Sequence, residues 1–355
     1  MAYTTVDKPS DFFNTKLYTG TGSSNAITGV GFAPNLTWVK HRSGTSEHNI
    51  YDSVRGATKR IIPDDTSAEG TQSNGLSAFG SDGFTVVDSN ATNLNGQTYA
   101  SWNWKAGTSM SGNTTGSGTA KSYSGSKNTT SGFAVIKYTG NGTSGHAIPH
   151  NLGTAPKYMI VKSLATNDWA VYQQGFTLNG GVPYNAYMYL NLIQEEAGGG
   201  VHWGGAIPGT TTFTVGTSTR TNTNNQEYIA YVWSEIPGYS KFNTYFGNGN
   251  ADGPFIYCGF KPAWIMVKTL TSNQQGGWQL RDNKRTPVGN LTNNLLYANA
   301  TSAEQTTDGI DILSNGFKFR NTAGDNNASG RKYAFFAYAE QPFVTGELAI
   351  PATAK

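Results

Sequence analysis

Apolar residues in this chain alternate with polar ones in short runs broken by Gly, Asn, Asp and Pro. No segment sustains the 3, 4 and 7 spacing of an amphipathic helix for three capped turns. The pattern predicts an all-β chain of short strands and many turns. The strands also recur. Gly31-Phe32-Ala33-Pro34-Asn35-Leu36-Thr37-Trp38-Val39-Lys40 returns as Gly259-Phe260-Lys261-Pro262-Ala263-Trp264-Ile265-Met266-Val267-Lys268, with a variant ending in Pro156-Lys157-Tyr158-Met159-Ile160-Val161-Lys162 between them. A second anchor is Tyr99-Ala100-Ser101-Trp102-Asn103-Trp104, then Tyr228-Ile229-Ala230-Tyr231-Val232-Trp233, then Tyr333-Ala334-Phe335-Phe336-Ala337-Tyr338. A third is Asp82-Gly83-Phe84 and Asn315-Gly316-Phe317, with Thr212-Phe213 as the looser middle version. The three anchors keep one order, so the chain is a threefold repeat.

Each anchor has a physical reading. Proline after Gly-Phe forces an extended approach to the strand. The Trp-Val and Ile-Met-Val runs suit a buried strand. Asp-Gly-Phe and Asn-Gly-Phe turn into a strand. The period-two alternation places Trp102 and Trp104 on one face of a sheet. Copies of roughly 100 residues with many short strands predict antiparallel two-sheet sandwiches. The expected boundaries are repeat one at 1–106, a linker at 107–132, repeat two at 133–238 and repeat three at 239–355. The stretch 107–132 is nearly all Gly, Ser, Thr and Asn, with Met110 and Tyr123 as exceptions, and reads as flexible. The junction Glu235-Ile236-Pro237-Gly238-Tyr239-Ser240 is short and reads as stiffer.

Composition narrows the function classes. Charged residues are 13% of the 355, and 25 Lys+Arg against 22 Asp+Glu leave +3. That is too small and too scattered for a nucleic-acid footprint. No apolar run is long enough for a membrane helix, and the first residues do not read as a signal peptide. The single Cys258, between Tyr257 and Gly259, reads as a small buried hydrophobe and excludes internal disulfides.

Chemistry is sparse. His146 and His150 stand four apart, but Pro149 rules out a helical pair and no Glu completes a zinc motif, so no metal is expected. No Gly-x-Ser-x-Gly elbow occurs. The adjacent acid pairs, Asp64-Asp65 and Glu195-Glu196, point to opposite faces if they lie on strands. No catalytic residue and no cofactor is assigned. Two features remain open. His202 and Trp203 sit among glycines, and Trp203 has no counterpart in the other copies. The pair reads either as a sugar-stacking site or as a plug for the second core. Arg55, Lys59 and Arg60 form a basic run unique to copy one. It reads either as a solvated loop or as a docking patch for an acidic neighbour. Trp169 and Trp278 occupy equivalent places, which points to packing.

The opening Met1-Ala2-Tyr3-Thr4-Thr5-Val6-Asp7-Lys8-Pro9-Ser10, the segments Leu17-Tyr18-Thr19-Gly20 and Asp52-Ser53-Val54-Arg55-Gly56-Ala57-Thr58-Lys59-Arg60, and the run from Tyr99 to Gly107 resemble a family of structural proteins of marine, cyanophage-type tailed phages. The resemblance covers copy one throughout, and copies two and three through the Pro…Val-Lys anchor. It implies three tandem concanavalin A/lectin-like jelly-roll sandwiches in a virion protein assembled in the host cytoplasm. The expected role is a non-enzymatic tail fibre or tail appendage. Its expected partners are other virion proteins, further copies of itself (a trimer first among them) and host-surface glycans, with no nucleic acid and no membrane insertion. A capsid decoration or head-fibre protein is the alternative, and a polysaccharide depolymerase the third reading.

Overall fold

The computed structural model describes residues 4–271, 276–286 and 289–343. It is all-β apart from one four-residue helical turn and two 3-10 turns. Each repeat builds the same four antiparallel strands, in the sheet order opening, closing, middle, fourth, and in repeats two and three the sheet continues past the fourth. In repeat one these are Phe13–Thr19, Thr98–Trp104, Leu36–His41 and Asn49–Asp52. In repeat two they are Phe133–Thr139, Glu227–Ser234, Pro156–Ser163 and Trp169–Gln173. In repeat three they are Ser240–Phe246, Lys332–Pro342, Phe260–Thr269 and Gln279–Asp282. Register makes the equivalence residue by residue: Trp38 lies opposite Trp102, Ile160 opposite Tyr231 and Met266 opposite Phe336.

Behind each four-stranded wall lie shorter strands, and each repeat keeps a local core between the two layers. Val39, Tyr99, Ile27 and Phe84 fill the first, Val161, Tyr228, Ile148 and Phe213 the second, and Val267, Tyr333, Ile256 and Phe317 the third. The Gly-Phe turns make this layering possible. A Cβ on Gly83 would stand 1.9 Å from Ile27 O, and one on Gly316 would stand 2.1 Å from Ile256 O. Only glycine lets the turn lie against the neighbouring strand.

The opposite faces of the three walls meet in one shared core that includes Trp38, Trp102, Trp104, Tyr158, Trp233, Trp264 and Phe336. The walls are therefore buried on both sides. All six residues of Leu36–His41 and all five of Trp169–Gln173 are buried. Strands in that position read as continuous apolar runs.

The repeats are not beads on a flexible string. The Gly/Ser/Thr-rich stretch, expected as a linker, folds as strands Thr108–Asn113 and Ser122–Asn128, and the second pairs with the opening strand of repeat two through Tyr123↔Tyr138 and Ser126↔Val135. Thr115–Gly116 adds to the smaller sheet behind. Met110 and Tyr123, the two exceptions in composition, are the residues that pack on the second local core. A hairpin added to the end of a sheet with one solvated face needs few apolar side chains, so its composition resembles that of a linker.

Equivalent side-chain donors of the three repeats reach the neighbouring repeat in one cyclic order and close into a ring. Lys40 Nζ of repeat one donates to Thr301 O of repeat three at 3.0 Å, Lys162 of repeat two to Thr66 O of repeat one at 3.4 Å, and Lys268 of repeat three to Ile193 O of repeat two at 2.9 Å. His48, Trp169 and Trp278 stand at equivalent places, each just before the residue paired with Val39, Val161 or Val267, and repeat the same cycle. His48 Nε2 bonds Tyr297 O at 2.9 Å, Trp169 Nε1 bonds Ile62 O at 2.9 Å, and Trp278 Nε1 bonds Tyr189 O at 3.0 Å. Trp38 Nε1 can only donate, so His48 Nδ1 accepts and Nε2 carries the proton. A head-to-tail interface whose rotation closes is the geometry of a cyclic trimer, written here within one chain.

Candidate functional site

The basic run of repeat one folds inward. Arg55 is 1% exposed at its side chain, and its Nε meets Asp52 Oδ2 at 2.5 Å and its Nη1 meets Glu69 Oε2 at 3.2 Å. Lys59 bonds Thr71 Oγ1 at 2.9 Å, and Arg60 pairs with Glu47 at 3.3 Å. All three cations are engaged within the repeat. The docking patch expected of Arg55, Lys59 and Arg60 is corrected for Arg55, which is a buried clamp; Lys59 and Arg60 keep partly exposed side chains, and Arg60 borders an open groove.

The clamp recurs in repeat three. Arg285 Nε meets Asp282 Oδ2 at 2.6 Å, and its Nη2 donates to Leu280 O at 2.7 Å, as Arg55 Nη2 does to Ile50 O at 3.2 Å. Burial alone would raise the Asp282 pKa, but the Arg285 charge and the hydrogen bonds to Asp282 outweigh it and hold the carboxyl below the usual range. Each carboxylate also takes a donor from the preceding repeat of the cycle. Tyr231 OH reaches Asp52 at 2.7 Å, and Trp102 Nε1 reaches Asp282 at 3.0 Å. Repeat two carries Gln173 and Phe176 at the clamp positions and meets Phe336, which has no donor to offer. The Asp-x-x-Arg spacing at 52–55 and 282–285 carried this signal in the sequence.

The loop around Trp203 also turns inward. Trp203 is 1% exposed, stands edge-on to Tyr172 and donates from Nε1 to Ala186 O at 3.1 Å. His202 lies on the Tyr187 ring, with centroids 3.9 Å apart, and bonds Tyr189 OH at 3.1 Å. Burial, then the Arg220 charge, lowers its pKa to about 4. The sugar-stacking expectation for His202 and Trp203 is corrected: no ring face of Trp203 is open. The glycines that suggested an exposed loop instead permit close packing, since a Cβ on Gly204 would stand 2.8 Å from Val215 O. The other histidines are likewise engaged. His146 lies between Asn222 and Thr114, and His150 bonds Gly209 O. Among the described residues no group of three or more His, Cys, Asp or Glu could hold a metal ion.

Two open grooves face outward at the junctions. One of about 450 Å³ lies between repeats one and three and is lined by Ser46, Glu47, Arg60, Asn90 and Thr301 among others. The other, of about 480 Å³, lies between Asn35, Ser53 and Val54 and the serine-rich hairpin, with Ser109, Ser111, Ser124 and Ser126. Near the first, Asp64 is the one acidic group with unusual chemistry. Burial raises its pKa to about 7, Glu47 adds to the rise and Lys40 opposes it. Its Oδ1 accepts from His48 N at 3.0 Å.

Residues 8–342 match the family described as a domain of unknown function, DUF7483. The chain belongs to that family. The matched stretch spans all three repeats. No curated protein and no solved structure matches the chain.

Proposed function

We propose that this DUF7483 chain is a non-enzymatic virion protein of a tailed phage, an appendage that works by binding a host-surface glycan. The three repeats are read as concanavalin-like jelly rolls fused into one head. The observation that carries the reading is the closed, doubly buried ring with uncharged or charge-paired grooves on its outside. Such a head presents fixed polar surface rather than mobile catalytic loops. Low charge density and interlocked repeats suit a particle exposed to proteases and changing salt. The junction groove with Ser46, Asn90 and the Glu47–Arg60 pair offers hydroxyl, amide and charged hydrogen-bonding groups of the kinds that sugars use.

Gold-tagged antibody against the protein, imaged on intact virions, tests the placement. Label at the tail or its tip is the expected result. Label spread over the head would favour the alternative, a capsid decoration protein, which the compact threefold ring also suits. Saturating binding assays that stay negative across host polysaccharides would remove the receptor role.

A polysaccharide depolymerase has one observation in its favour. A carboxyl with a pKa near 7 beside a second carboxyl is how acid–base pairs are built. Release of reducing sugar from host polysaccharide, abolished in Asp64→Asn with the fold intact, would replace the binding reading with this one.

A further inference from the structure

The layer behind the wall of repeat three ends on an open strand. Phe255–Tyr257 pairs with Gly316–Phe319 on one side and, among the described strands, with none on the other. The equivalent strand of repeat two, His146–Pro149, pairs with Thr212–Val215 on one side and is covered on the other by Thr115–Gly116. Register equates the two strands. Ile148 lies opposite Phe213 and Ile256 opposite Phe317, so Phe255 stands where repeat two has Ala147.

The hydrogen-bond phase says which peptide groups are open. In an antiparallel pair, alternate residues exchange both bonds with the neighbour, and the residues between them turn theirs to the other side. Cys258 N donates to Asn315 O at 2.9 Å, which sets Ile256 as the residue bonded to Phe317. The peptide groups of Phe255 and Tyr257 therefore point to the open edge. In repeat two Ala147, in the place of Phe255, is the residue opposite Thr115. The side chains differ as well. The bare strand of repeat one, Asn25–Ile27, carries only Ala26 at this place. In repeat three Phe255 and Tyr257 are 47% and 55% exposed, on the face away from buried Ile256. No residue from Gly253 to Gly259 is charged. Bare edges are ordinarily blunted by charge, lysine above all, whereas aromatic residues are enriched at interfaces.

We propose that Phe255–Tyr257 is a dimerisation edge that pairs antiparallel with the same strand of a second copy of this chain. The pattern of the edge selects that occupant. Two open peptides two residues apart are their own complement about a two-fold axis at Ile256, which sets Phe255 opposite Tyr257 of the partner subunit and Tyr257 opposite Phe255 of the partner subunit. Both are then hydrogen-bonded pairs, and each brings two aromatic rings side by side. An uncharged strand paired with itself brings no like charges together. The contact is isologous, so it closes at two copies and does not propagate. It stands independently of the virion reading.

Sedimentation velocity of the full chain over a range of concentrations is the test. A concentration-dependent dimer is the expected result, and a monomer at every concentration overturns the proposal. Phe255→Lys combined with Tyr257→Lys sets like charges opposite each other in both pairs and is expected to abolish the dimer. The thermal midpoint of that monomer is expected to hold, since both side chains are exposed. Ile207→Lys, at a comparably exposed site in repeat two, is expected to leave the dimer in place. Phe255→Glu combined with Tyr257→Glu, mixed with the double-lysine chain, is expected to restore a one-to-one dimer. A dimer that survives the lysine pair belongs to another surface and sinks the proposal. Amide exchange at Phe255 and Tyr257 is expected to slow on association. Slow exchange already in the monomer would mean that the edge is covered within the same chain, and would count equally against the pairing.

Discussion

Asp282 sits where three demands converge: it neutralises Arg285, caps the backbone N–H groups of Lys284 and Arg285, and takes the Trp102 indole from the neighbouring repeat. Asp282→Ala leaves Arg285 buried without its closest counter-charge, a change that typically costs about 3–5 kcal/mol. Urea unfolding of the two proteins measures it. The triple change Asp282→Gln, Arg285→Phe and Trp102→Phe copies the solution of repeat two and is expected to lose less than Asp282→Ala alone. The buried lysines give a pH signature. Burial lowers Lys40 and Lys162 to about 8 and Lys268 to about 7, below the unfolded value of 10.5. Between those values the unfolded chain holds more protons, so stability rises with pH there, by up to about 1.4 kcal/mol per pH unit for each lysine. Below pH 7, Asp64, with its pKa raised to about 7, acts in the opposite sense. Above 10, tyrosines such as Tyr158, whose pKa burial pushes well up, also oppose the rise. Denaturant midpoints between pH 8 and 9.5 are expected to climb, and Lys268→Met should flatten the climb. A falling or flat profile in the native chain would contradict these pKa directions.

At the scale of elements, the Ser122–Asn128 strand is where composition and structure part. A flexible linker would expose Lys127 to trypsin. As a strand, Lys127 pairs with Ala134 and anchors its Nζ on Asn151 O at 2.8 Å. Limited trypsin digestion of the native chain is expected to spare the Lys127–Asn128 bond, and Ser126→Pro, which interrupts the pairing with Val135, is expected to open it. Early cleavage in the native chain would restore the linker reading. The contrast shows which elements a sequence makes legible. Pro-bounded Val-Lys strands and Gly-Phe turns encode themselves locally: Gly83 and Gly316 are required by a backbone oxygen about 2 Å from any Cβ. The hairpin is specified by a partner strand far along the chain, so Met110 and Tyr123 are its only local trace. Trp203 and Arg55 were visible as unusual residues, yet their direction was not. Whether a glycine-flanked ring or a basic run faces in or out depends on what packs against it.

For the whole molecule, the threefold repeat was legible in the sequence while its closure was not, because an apolar run does not say which surface covers it. Closure has a thermodynamic consequence. The wall of repeat one presents Leu36, Trp38, Trp102 and Trp104 to the shared core, and each is at most 3% exposed in the ring. Fully burying large apolar side chains contributes roughly 1.5–3 kcal/mol each, comparable in sum to the net stability of a small domain. A fragment of residues 1–106 would lose that contribution and leave Asp52 without Tyr231 and Lys40 without Thr301. It is expected to show no cooperative thermal transition, and the full chain to unfold in one. Three independent sandwiches would instead give three folded fragments and separable transitions, the outcome that calorimetry of the full chain beside the fragment would reveal. A single transition would make the ring the unit of folding, so that a lesion such as Asp282→Ala in repeat three lowers the protection of amides in the local core of repeat one as well. Hydrogen exchange at Val39 and Tyr99 in that variant reads this coupling directly: faster exchange at both means the repeats stand or fall together.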